Sequence, residues 1–169
     1  MAAGPEPPAP VLVLGVGNLL LRDDAAGLAV LAELARDPDP RVEFLDGGTQ
    51  GRALAGHLGG RRALVVLDAV RLGAAPGTVH VLRDPLGAAP PRGGSAHESN
   101  VGDLLAAACL LGELPQAVVL VGIEPALVQT GLGLSAKVAA AVPAAARAAQ
   151  AELARLCAGV PEEGAPCTS

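Results

Sequence analysis

Three short stretches of this chain are almost unbroken runs of Val, Leu, Ile and Ala: VLVLG at 11–15, ALVVLDAV at 63–70 and AVVLVGI at 117–123. A strand with one wet face alternates apolar and polar residues, whereas a strand covered on both faces reads as a continuous apolar run. The runs therefore predict a sheet with helices on both sides. The segments between them supply those helices. Leu28, Leu31 and Leu34 fall on one side of a helix that the DPDP sequence at 37–40 must end. Val101, Leu104, Leu105, Ala108 and Leu111 trace a second helix face, with Cys109 expected in the core. Ser135 can cap a long Ala-rich helix reaching about Cys157, kinked or restarted at Pro143. Strands alternating with helices give an α/β fold.

The weaker segments complete the order. VEFLD (42–46) reads as a second strand, DGGTQG as its turn and 51–58 as a short helix. TVHVLRD (78–84) is a further strand, and the link Arg71–Gly77 is shorter than the dozen or so residues a parallel crossover requires, so it should run antiparallel. GAAPPRGGSA (87–96) is a loop by composition and expected to be mobile. One domain is expected over 11–158, between a flexible Pro-rich extension (1–10) and a disordered tail (159–169). MAAGPEPPAP has neither the basic nor the apolar region of a signal peptide, and no apolar run reaches the roughly 18 residues of a membrane helix. A cytoplasmic protein without membrane contact is expected. The formal net charge is −5 and the basic residues are scattered, which argues against nucleic acid as a partner.

Function concentrates in GVGNLLLRDDAAG (15–27). A dinucleotide fingerprint requires a third glycine where this chain has Leu20, and no Gly-Lys-Ser/Thr exists for a phosphate loop. Asp46, ending the second strand, can imitate the acid that holds a ribose, which keeps a nucleotide-binding domain as an alternative. Against it, Asp23 and Asp24 would repel a pyrophosphate and suit a cation, and one of them can cap the following helix. With the first strand central, the crevice at the reversal of winding lies between strands one and three. Asp24 follows strand one and Asp68 ends strand three, so two carboxylates should face one cleft. Of the three histidines, His57 is expected at the surface and His80 within strand four, while His97 lies in SAHESNVGD. There Ser95 and Glu98 form a capping box that puts His97 in a first helical turn, whose dipole favours the neutral, metal-binding imidazole. Two carboxylates alone would suit magnesium or calcium, and an added imidazole shifts preference toward zinc, nickel or iron. A plain polar residue at a helix start remains the other reading of His97.

GVGNLLLRDDAAG (15–27), FLDGGTQG (44–51), VVLDAV (65–70), GTVHVLRD (77–84), SAHESNVGDLL (95–105), LVGIEP (120–125) and GLGLS (131–135) together resemble, in order and spacing, the hydrogenase maturation endopeptidases. These process the large subunit of nickel–iron hydrogenases. The resemblance implies a three-layer α/β/α sandwich with a five-stranded, mostly parallel twisted sheet, one strand antiparallel. It implies a metal-binding and catalytic trio at Asp24, Asp68 and His97, with Asp46 lining the cleft or orienting the substrate. It further implies that nickel arrives on the substrate, the precursor of a hydrogenase large subunit, whose C-terminal extension is cut off after a basic residue. A monomer or weak dimer is expected. Where relatives carry Glu or Asp, this chain has the shorter Asp24, which must approach an ion more closely. Ala25 replaces a frequent glycine, and the residues after His97 also differ. No serine or cysteine nucleophile and no HExxH helix is evident. The rival from another class is a non-catalytic nickel-binding partner that checks assembly.

Overall fold

The computed structural model of the chain describes residues 9–85, 100–158 and 160. Its strands are Val11–Val16 (β1), Val42–Gly48 (β2), Ala63–Ala69 (β3), Val79–Arg83 (β4) and Ala117–Ile123 (β5). They form one sheet in the order β2-β1-β3-β5-β4. β1 lies parallel between β2 and β3, and β3 is parallel to β5. β4 pairs antiparallel with β5, as its short connection requires.

Among the described residues, three α-helices, Ala26–Leu34 (α1), Asn100–Leu111 (α2) and Ala136–Cys157 (α3), make up two outer layers. α1 and α3 cover one face, packing on Val11, Val13, Val65, Leu67 and Val121. α2 and a 3₁₀ helix at Gly51–His57 cover the other, packing on Leu12, Leu14, Leu64, Val66 and Val118. Successive residues of one strand thus feed opposite cores. That is why no position in Val11–Leu14 or Leu64–Leu67 can be polar: all are fully buried. Each such Leu or Val contributes roughly 1.5–3 kcal/mol on leaving water. Among the described residues, no helix is long and apolar enough to cross a membrane.

Some expectations need correction. Cys109 is exposed rather than core, because it lies about 100° round the helix from Ala108. Leu111 is exposed too, being the last residue of α2 before Gly112 turns the chain with φ 71°. α3 runs unbroken through Pro143, which sits on its outer side, so the lost amide bond faces solvent. The Pro-rich N-terminus through residue 8, the 87–96 loop, Ser95, His97, Glu98, Cys167 and the tail from 161 lie outside the described residues.

One glycine fixes how α1 meets the sheet. A Cβ at Gly27, in the first turn of α1, would lie 2.2 Å from the Leu67 carbonyl oxygen and 2.5 Å from that of Val16. The close-packing glycine missing at position 20 therefore reappears at 27. It is displaced by the 3₁₀ turn Arg22–Ala25, which carries both aspartates. Gly27→Ala should lift α1 off the ends of β1 and β3 and lower unfolding free energy by about 2–4 kcal/mol in denaturant titration. Gly56→Ala, with no atom within 4 Å of the new methyl, should change it by under about 1 kcal/mol.

Candidate metal centre

Beyond β1 the chain folds back on itself. Gly17 has φ 141°, and a Cβ there would lie 2.0 Å from the Asp24 carbonyl oxygen, so only glycine allows this return. The Asn18 amide then donates to Asp24 Oδ2 at 2.8 Å, and Asn18 Oδ1 accepts from the Leu20 amide at 2.9 Å. Asp24 is thereby pinned by one oxygen, while Oδ1 takes no donor among the described residues. It is not a helix cap: the N-cap of α1 is Ala25, with no side-chain cap bond.

Asp23, expected as the alternative cap, does something else. It is fully buried and reaches across to the segment between β5 and α3. Oδ2 accepts from the amides of Ala126 (2.9 Å) and Leu127 (2.8 Å), and Oδ1 from that of Ser135 (2.6 Å). The Ser135 hydroxyl, expected to cap α3, instead donates to Asp23 Oδ2 at 2.8 Å. Burial pushes the Asp23 carboxyl upward, but the bonds from Ser135, Leu127 and Ala126 outweigh it and hold it below the usual range. Backbone bonds close the same seam: Arg22 N to Gly131 O at 3.1 Å, Gly131 N to Leu20 O at 2.9 Å. Gly131 has φ 154°, a conformation that favours glycine.

Asp68 stands where strand winding reverses. The last β1–β3 pair is Gly15↔Leu67, so Asp68 lies one residue past that pairing, level with Val16, the last residue of β1. Its partner on β5 is Gly122, which has no side chain. By alternation it shares the α2 face with Leu64 and Val66. Oδ1 accepts from the Ala69 amide at 2.8 Å. Burial pushes the Asp68 carboxyl up to about 8, opposed only in part by that amide and reinforced by the negative charge of Asp24. The charge of Asp24, on the turn after β1, therefore bears on Asp68 at the carboxyl rim of β3.

The other candidates fall elsewhere. Asp46 is exposed at the end of β2, and its Oδ1 accepts from the Gly48 amide at 2.9 Å. Paired with Gly15, it sits on the α1 face with Val42 and Phe44, opposite to Asp68. His57 is exposed, and His80 Nε2 is engaged with Glu124 Oε2 at 3.0 Å. His97 lies outside the described residues, three positions before α2 begins. Among the described residues, no three His, Cys, Asp or Glu side chains converge as a metal site. The sequence reading missed the anchoring role of Asn18 and the clasp at Asp23; the signal available was the position of both inside the glycine turn.

Similar proteins were found by sequence and by structure. The family model for HycI, hydrogenase maturation protease, matches residues 28–152, a span that includes Asp68 and His97 and begins after Asp24. The hydrogenase 2 maturation protease of Escherichia coli K12 is 39% identical over 137 residues, 78% of this chain and 83% of that protein. The hydrogenase expression/formation protein HupM of Azotobacter chroococcum is 41% identical over 124 residues, and the match spans 57% of its length. The solved hydrogenase maturating endopeptidase HybD from E. coli superposes with a TM-score of 0.74 at 36% identity, covering 86% of this chain and 92% of that one.

The two adjacent acids should respond oppositely to pH. The depressed Asp23 contributes stability above its unfolded value near 4, and that contribution disappears as pH falls. The raised Asp68 binds an extra proton in the folded state, so its contribution is full below about pH 4 and is lost as pH rises toward 8. In thermal unfolding, Asp23→Asn should be destabilised by about 2–4 kcal/mol at pH 7. Asp68→Asn should be stabilised by about 1–2 kcal/mol at pH 8 and converge with the parent near pH 4. Equal pH profiles for the two variants would contradict the assignment.

Proposed function

This chain belongs to the hydrogenase maturation protease family, and from that premise we propose that it removes the C-terminal extension of a nickel-loaded hydrogenase large-subunit precursor. It acts in the cytoplasm, as a monomer or weak dimer. The nickel is part of the substrate. Asp24, Asp68 and His97 complete its coordination, so the peptide is presented for cutting only when the ion is in place. One observation supports the reading: the charge of Asp24, on the turn after β1, bears on Asp68 near the end of β3, beside the switch point of the sheet. His97 enters through the resemblance and through the direction of α2. That helix precedes β5 and begins at the carboxyl rim, where Val101 packs in the same core as Val66. Asp46 is left outside the ligand set.

Hydrolysis adds water across the scissile bond, with one proton leaving the water and one arriving on the departing amine. A substrate-borne cation beside that bond polarises its carbonyl. A carboxylate within reach can take the water's proton, an effect worth about 10²–10⁴-fold. A covalent nucleophile is not supported: among the described residues no serine or cysteine is hydrogen-bonded to a histidine, and Ser135 is committed to Asp23. The nucleotide-binding alternative has an acid pair where its phosphate would sit.

Purified protein incubated with nickel-loaded precursor should shorten it, as read by intact-mass spectrometry, and leave nickel-free precursor whole. Asp68→Ala and His97→Ala should each slow cleavage by at least about 10²-fold. Cleavage that ignores nickel, or survives both substitutions, overturns the proposal. Tight binding of loaded precursor without loss of its tail would instead identify an assembly-checking partner.

A further inference from the structure

Four leucines at the carboxyl rim are left in water by the fold. Leu19 and Leu20 are 60% and 62% exposed, Leu127 is 42% and Leu132 is 73%. They lie on two segments sewn together by the Leu20–Gly131, Arg22–Gly131 and Asp23–Leu127 backbone bonds. The buried Asp23 carboxylate locks the seam from beneath. Exposed apolar residues held on a rigid backing mark an interaction surface more often than chance. The patch is also continuous with the candidate centre: Leu20 N bonds Asn18 Oδ1, and Asn18 N bonds Asp24 Oδ2. A chain that delivers a peptide bond to Asp24 must pass beside it.

We propose that Leu19, Leu20, Leu127 and Leu132 form the docking surface for an extended apolar stretch of the precursor flanking its cleavage point. This rests on the peptidase reading above and adds a specificity determinant to it. The metal-binding acids test whether nickel is present. The leucine rim selects the peptide attached to it and holds the scissile bond in register. Because the leucines are exposed in the free protein, their cost in solvation is recovered only on substrate binding.

Leu20→Ser and Leu132→Ser should keep the parent melting temperature, and each should raise KM for nickel-loaded precursor on the order of tenfold, with the loss on KM rather than kcat. Leu110→Ser, 89% exposed at the opposite end of the sheet, should change neither. Replacing the precursor's apolar residues beside the cleavage point by serine should weaken the parent similarly and add little to the Leu20→Ser loss, as a double-mutant cycle reads. An unchanged KM in both leucine variants overturns the docking surface while leaving the peptidase intact. Binding that depends on the leucines without any cleavage keeps the surface and overturns the peptidase. Failure of the parent to bind loaded precursor overturns it, as does self-association in sedimentation that Leu20→Ser abolishes, since the occupant is then a second copy.

Discussion

A carboxylate that no water can reach, bonded by three backbone amides and a hydroxyl, is the point on which the rim of this molecule hangs. Asp23 comes from the turn after β1, and its donors come from the segment leading into α3, more than a hundred residues later. A buried charge is tolerated only when its hydrogen-bonding capacity is met, and here it is met by backbone groups that cannot move away. The turn after β1 therefore has one position. Everything built on it inherits that position, including the Asp24 carboxylate, the leucine rim and the entry angle of α1.

Two consecutive aspartates are consequently put to opposite physical uses. Asp23 faces inward and is stabilised as the anion by donors. Asp24 faces the crevice and, together with burial, helps make the Asp68 anion unfavourable. The first arrangement holds the fold together. The second is a local instability, and it persists because the surrounding sheet is rigid enough to keep both acids in place. An α/β sandwich by itself names no chemistry; what distinguishes this one is the unusual charge at its switch point.

Much of the architecture was legible from periodicity. The uninterrupted runs at Val11–Gly15, Ala63–Ala69 and Ala117–Ile123 identified buried strands, and the short Arg71–Gly77 link identified the antiparallel one. The positions of Asp24 after β1 and of Asp68 near the end of β3 were legible because strand ends at a switch point are set by strand order. Cys109 was misread because it lies off the apolar stripe, and Leu111 because helical spacing does not say where the partner layer ends. Ser135 is the N-cap of α3 as expected, but its hydroxyl goes to Asp23, and Asp23 was misread as a cap, because a capping signature is local whereas a buried acid takes whichever donors the tertiary fold brings nearest.

The sequence by itself determined the layers, the strand directions and the presence of acids on a glycine turn, since all of these follow from residue type and spacing along the chain. Only the tertiary structure decided which aspartate is clasped, that Asp46 lies on the other face from Asp68, and that the segment carrying Leu19 and Leu20 is joined by backbone bonds to the one carrying Leu127 and Leu132. These depend on contacts between segments far apart in the chain, and no local pattern encodes which donor will arrive at which carboxylate.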